Sequence, residues 1–217
     1  MNKKRKPGIL AKLAFLALPF LPGKAQASDN WFTFQPGYNI KKEHSTARIE
    51  GGSKLNDKIS TYGFIDLNAS KEEPTNMQSV YAEGRINIQP TKQVPLALTA
   101  EYNGATFLED TIRLGITYTP NLGKNNFTYL KYLPLETSGE HGQQATFFTS
   151  QQLTPRLRAN LTADYNIDPK VLMLEPKVKL KLTDRVSAFV RSKSFTRPSF
   201  KKIREGITPI IGLELKF

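Results

Sequence analysis

The stretch LMLEPKVKLKL, from Leu172 to Leu182, frames the choice of fold. Successive side chains of a strand point to opposite faces, so Lys177, Lys179 and Lys181 share one face, opposite Val178, Leu180 and Leu182. A soluble sheet would turn the lysines to solvent. A membrane barrel would turn them into a wet lumen, because a Lys at the lipid-facing midplane costs roughly 2–4 kcal/mol. Alternation leaves both open, and the two ends of the chain choose between them.

Lys3, Lys4, Arg5 and Lys6 form a positive leader, Leu13–Leu21 is an uncharged apolar segment, and Ala25-Gln26-Ala27 offers small residues for cleavage. This is the pattern of an export signal cleaved after Ala27. The apolar segment falls short of the ~20 residues a spanning helix needs. The expected division is therefore a signal peptide at 1–27 and one domain at 28–217. The formal charge of +12 shrinks accordingly, since residues 1–27 hold six basic and no acidic residues. The basic balance is only partly a property of the folded domain. No nucleic-acid-binding motif accompanies it, so no nucleic-acid partner is expected.

At the other end, Ile211, Leu213, Leu215 and Phe217 alternate and finish on an aromatic residue. Gly212, Leu215 and Phe217 stand at Gly-x-x-apolar-x-aromatic spacing. That spacing reads as the terminal signal recognised by the outer-membrane barrel assembly machinery. There is no cysteine, so disulfides and thiolate metal sites are excluded. No apolar run in the mature chain approaches helical spanning length. A membrane placement therefore demands a closed barrel, in which every backbone group finds a partner.

Period-two alternation runs through the chain. Val80, Ala82, Gly84, Ile86 and Ile88 oppose Tyr81, Glu83, Arg85 and Asn87; Leu96–Asn103, Ile112–Tyr118 and Leu157–Tyr165 behave alike. The fold class expected is all-β, an antiparallel transmembrane barrel of about twelve strands, with ten still open. The strands are placed near 31–40, 45–52, 60–69, 79–88, 94–103, 111–118, 126–133, 145–151, 157–165, 171–182, 185–193 and 207–217. With both termini periplasmic, the outer connections are on average the longer ones, as is usual in such barrels. Tyr38, Tyr102, Tyr132 and Tyr165 would face lipid at the outer rim, and Phe32, Tyr118 and Phe217 at the inner rim, as two aromatic girdles.

The inward set carries the chemistry. Asp66, Glu83, Arg85, Glu101, Arg113, Lys131, Arg158, Asp164, Lys177, Lys179, Lys181 and Arg191 are expected to line the pore. So are Tyr62, Phe64, Tyr81, Tyr129 and Phe189. Glu50, Arg48, Glu175, Lys193, Glu214 and Lys216 fall on the same face. Charges on neighbouring strands can pair and hold the wall together, while rings in a polar channel can offer stacking faces. The basic segment with Arg197, Lys201, Lys202 and Arg204 is placed outside, where lipopolysaccharide phosphates would meet it.

An enzyme would need an activated nucleophile beside a base. Only His44 and His141 are available. Ser45 adjoins His44, but adjacent strand residues point apart, so no catalytic residue is assigned. No metal-ligand spacing or phosphate loop occurs, and no cofactor or metal is expected.

Tyr62-Gly63-Phe64-Ile65-Asp66, Tyr81-Ala82-Glu83 with Arg85, Ala100-Glu101-Tyr102 and the closing Phe217 resemble the nucleoside-specific channel-forming (Tsx-like) outer-membrane family. That resemblance implies a twelve-stranded monomeric barrel with a narrow pore for nucleosides, and in some members a phage-receptor role. Two other readings stand beside it: a small porin for acidic oligosaccharides using inward Arg and Lys, and a non-transporting surface barrel. The partners expected are outer-membrane lipids, lipopolysaccharide, the assembly machinery and a small polar solute.

Overall fold

The structure is a computed structural model that describes residues 30–69, 77–91, 93–106, 108–137, 142–196 and 207–217. The first five strands are β1 Trp31–Asn39, β2 His44–Lys54, β3 Ile59–Ala69, β4 Met77–Ile88 and β5 Leu96–Ala105. They continue as β6 Leu108–Tyr118, β7 Asn126–Glu136, β8 Gln144–Gln152, β9 Leu157–Asn166 and β10 Val171–Lys181. The last are β11 Val186–Ser192, β12 Ser194–Thr196 and β13 Pro209–Lys216. Each described strand pairs antiparallel with its neighbours, and β1 meets β13 with Phe34 opposite Leu215 and Tyr38 opposite Ile211. The sheet therefore closes on itself through β1 and β13; among the described residues only the short β12 pairs on one side alone, with β10.

β11 and β12 form one stave. Both pair with β10 in a single register, Lys177 opposite Arg191 and Leu172 opposite Thr196. The interruption at Lys193 lies beside Pro176, which has no N–H to give a ladder. Counted by staves, the barrel has twelve, and the ten-strand alternative is set aside.

The burial pattern inverts that of a soluble sandwich. Among the described residues the buried apolar side chains are Ala82, Tyr102, Leu133, Phe189 and Ile210, whereas Arg48, Asp66, Glu83, Arg85, Glu101, Lys131, Glu175 and Arg191 are all buried. The large apolar groups face outward: Leu98 is 57% exposed, Leu114 46%, Val178 47% and Leu213 45%. A polar interior inside an apolar belt suits lipid outside and water within.

Strand boundaries differ from expectation on the outer side. β5 runs to Ala105 and β6 begins at Leu108, where a connection over 104–110 was expected. Gly104 stays in the ladder because Tyr102 folds its ring over it; a Cβ there would sit 2.5 Å from Tyr102 Oη. For the same reason Tyr102 is only 6% exposed and does not join the outer girdle as an exposed ring. Tyr38, Tyr118, Tyr132 and Phe217 are exposed on the outer face as expected.

β7 likewise extends to Glu136 through an irregularity opposite Gly115. Leu114 faces Leu135 but Ile116 faces Tyr132, so β7 carries one extra residue. A Cβ on Gly115 would lie 2.0 Å from Tyr132 O, so the bulge requires glycine there. This bulge resets the alternation. Leu135 stays on the apolar face and Glu136 sits opposite Arg113.

Candidate channel lumen

Parity of the strands sends every second side chain inward, and the barrel brings the charged, aromatic and neutral polar ones together around one cavity of about 2180 Å³. Its lining reaches from Asn56, Asp57 and Lys58 in the turn after β2 to Lys41, Lys42 and Pro169 at the other end. Thirteen of the expected pore residues border it: Tyr62, Phe64, Asp66, Tyr81, Glu83, Arg85, Arg113, Tyr129, Lys131, Arg158, Asp164, Lys177 and Lys179. Glu101, Phe189 and Arg191 are also buried, but lie behind that surface. Lys181 lies outside the lining as well. Its ammonium is drawn to Asp184 in the turn 182–185, at 2.6 Å, and the same contact holds the Asp184 carboxyl below its ordinary range.

Three polar networks fill the interior. In the first, Arg48 on β2 grips two carboxylates. Its Nε and Nη2 donate to Asp66 at 2.6 and 2.8 Å, and its Nη1 and Nη2 donate to Glu175 at 2.8 and 3.2 Å. Arg191 Nη1 stands 3.9 Å from Asp66 and 4.0 Å from Glu175, and Lys193 Nζ stands 3.5 and 4.0 Å from the same pair. In the second, Glu101 accepts from Arg85 Nε at 3.1 Å, from Asn103 Nδ2 at 3.1 Å and from Lys131 Nζ. Arg85 also donates to Glu83 at 2.8 Å. In the third, Glu214 accepts from Lys177 at 2.9 Å and from Lys179 at 2.6 Å, while Lys177 also donates to Gln35.

The first network crosses the lumen. β2 and β10 are four staves apart around the ring. A round barrel with strands about 4.8 Å apart and tilted about 40° would measure roughly 24 Å across its backbone. Staves four apart would then stand about 21 Å from each other, beyond the combined reach of an arginine and a glutamate. Since Arg48 and Glu175 are in contact, the cross-section is flattened in that direction.

The aromatic residues are not bare platforms. Trp31, Tyr62, Phe64 and Tyr81 form a run with centroid spacings of 6.1, 6.2 and 5.7 Å. Cations cover that run: Arg48 lies 4.5 Å over Phe64, Arg85 5.4 Å over Tyr62 and Lys193 5.5 Å over Tyr81. Arg85 also lies 5.1 Å from the Tyr129 ring, which stacks on Phe148 at 5.1 Å. Cation–π contacts of this kind hold guanidinium groups in place. Tyr62, Phe64 and Tyr81 each have one face covered by a cation.

Trp31, Phe127 and Phe148 also border the cavity and were missed. In the Phe147-Phe148 pair, alternation cannot tell which ring turns inward until the register is fixed. Gly212, read as part of the terminal signal, has a packing reason for its size. A Cβ there would lie 2.2 Å from Pro36 O and 2.8 Å from Phe189 Cζ. Phe217 N donates to Phe32 O at 3.0 Å, and the two rings lie 5.6 Å apart. Leu215 is half-buried on the same outer face. Arg197, Lys201, Lys202 and Arg204, like residues 1–27 and His141, lie outside the described residues. His44 borders the cavity while Ser45 is exposed, as their adjacency requires.

No family model matches the chain, and neither does the sequence of any curated protein. Solved structures do match. The KdgM porin, solved in complex with disordered oligogalacturonate, superposes with a TM-score of 0.58 at 9% identity, covering 86% of this chain and 99% of that one. The NanC porin gives 0.55 at 6% identity, covering 86% and 98%. The outer membrane phospholipase A from Escherichia coli gives 0.56 at 11% identity, covering 86% and 95%. The chain thus has the fold of the integral outer-membrane β-barrels, in the twelve-stranded form of the small porins. The twelve-stranded barrel implied by the Tsx-like resemblance is present; nothing in these likenesses singles out nucleosides.

Proposed function

We propose that this protein is an outer-membrane channel for small polar solutes. The observation that carries the proposal is the single cavity whose lining includes side chains from both ends of the barrel. A lumen lined by charge and closed off from lipid is the arrangement by which porins pass hydrophilic solutes. Membrane lipids, lipopolysaccharide and the assembly machinery are its proposed partners, and cleavage after Ala27 its proposed maturation.

Two solute classes compete. Nucleosides follow from the family resemblance, but a base would have to displace Arg48, Arg85 or Lys193 from the rings they cover. Acidic oligosaccharides would meet Lys179 and Lys193, which border the cavity and stay partly exposed although they pair with Glu214 and Asp66. We favour the second class on that ground. Liposome swelling with nucleosides, neutral sugars and acidic oligosaccharides separates the readings. Acidic oligosaccharides are expected to enter fastest. Equal entry of all three would reduce the proposal to an unselective channel, and no entry would leave a surface barrel without transport.

A further inference from the structure

We infer that the side chains Arg48, Asp66, Glu175, Arg191 and Lys193 form a bar across the lumen that sets the conductance and the size limit of the channel. The inference rests on the channel reading and assigns its narrowest level.

The geometry is that of a bar and not of a lining. Charged residues on porin walls ordinarily pair with adjacent strands, at the spacing of one ladder step. Here Arg48 on β2 reaches Glu175 on β10, and Lys193, between β11 and β12, reaches Asp66 on β3. Each contact skips the staves between. Lys193 goes further and lies over the Tyr81 ring on β4, 5.5 Å from its centroid. Any solute passing this level has to pass beside these side chains.

The bar is firm at one point and loose at another. Arg48 makes four hydrogen bonds to the two carboxylates and rests on Phe64. Such bidentate pairing with both partners fixes its position. Lys193 is held by longer contacts of 3.5 and 4.0 Å, is more exposed than Arg48, and borders the cavity. It also occupies the break in the stave beside Pro176. Arg191 is buried behind it, with Nε and Nη1 lacking hydrogen-bond partners. The three cations stand against Asp66 and Glu175 and also against Glu50, which acts on Arg48 and Arg191 from β2 and borders the same cavity. The level is balanced with Lys193 in place and negative without it, so Lys193 is the charge that opposes the passage of cations.

The test is single-channel recording in planar bilayers with the refolded mature barrel. Two variants are compared with wild type: Lys193→Ala, and the paired Arg48→Ala with Glu175→Ala, which leaves the net charge unchanged. Lys181→Ala, at the turn and outside the cavity lining, serves as control. Heat-modifiable migration on gels confirms that each barrel has closed. Conductance is expected to rise about two-fold or more in the paired variant, as expected when a side-chain constriction is removed. Lys193→Ala is expected to widen the pore less and to move the reversal potential toward cation preference. If the paired variant does not close, Lys193→Ala alone decides, since it removes only the loosely held member. Closed variants that conduct and select like wild type and Lys181→Ala would overturn the inference while leaving the channel intact. A closed wild-type barrel with no conductance would overturn the channel reading and the bar's role with it.

Discussion

Glu101 is the carboxylate whose removal is expected to destabilise the barrel most. It is fully buried and accepts hydrogen bonds from Arg85, Lys131 and Asn103. Replacing it with Ala strips Lys131 of its direct ion pair and leaves Arg85 its ion pair with Glu83 and its contact with Tyr129. Removing one partner from a buried ion pair costs about 3–5 kcal/mol, because the remaining charge stays buried without compensation. Each 1.4 kcal/mol is about a factor of ten in an equilibrium constant. The folded population should therefore fall roughly a hundred-fold to a few thousand-fold relative to the unfolded one. Trp31 is the only tryptophan and packs 6.1 Å from Tyr62 inside the barrel, so its fluorescence follows unfolding by urea in lipid vesicles. Glu101→Ala should lower the midpoint strongly, and Glu101→Gln, which keeps an acceptor for Asn103, less so. Lys181→Ala, which breaks an exposed pair with Asp184, should leave it unchanged, as exposed ion pairs usually do. A midpoint for Glu101→Ala equal to wild type would mean that Lys131 and Arg85 are hydrated in the lumen, and the buried-network account would fail.

Four further outcomes follow from the same geometry. Cysteine placed at position 179 should react with a membrane-impermeant thiol reagent, and cysteine at 178 or 180 should not. Labelling in the opposite pattern would invert the register of β10. Deleting Phe217 should lower the yield of heat-modifiable barrel, since it removes the contact with Phe32 and the end of the proposed assembly signal; normal yield would refute both. Gly212→Ala should impair closure, and adding Phe189→Ala should not rescue it, because the nearest obstacle is the Pro36 carbonyl at 2.2 Å. Full rescue would show that the ring alone demands the glycine. Mass spectrometry of protein from outer membranes should give Ser28 as the first residue, and finding Met1 there would remove the signal peptide.

The barrel itself was legible because alternation is local. Lys177 against Val178, and Glu83 against Ala82, needed only parity to be placed on the right faces. The inward charges Arg48, Glu175 and Lys193 were placed by the same rule. Their joining into one cluster was not legible. Which residues meet across a barrel depends on stave order, stagger and the flattening of the cross-section, and none of these is written in any single strand. The same gap explains the aromatic residues. Tyr62, Phe64 and Tyr81 border the cavity, but each has a face covered by a cation from another strand. The bulge opposite Gly115 shows a local limit too. Past Pro134 the parity reverses, and only Leu135 and Glu136 together hint at it.

The bar of Arg48 and Glu175 has a consequence for how the molecule comes into being. Its partners stand 127 residues apart, and Lys177 meets Gln35 across 142 residues. These pairs exist only once the C-terminal stave β13 has zipped onto β1. Until then Glu175 and Lys177 lack those partners, while Arg48 can already pair with Asp66 on the neighbouring strand. Contacts so distant in sequence make the last step of insertion slow and concerted. The interior locks in one event, when the cylinder shuts, and a barrel shut out of register would be left with mismatched charges inside.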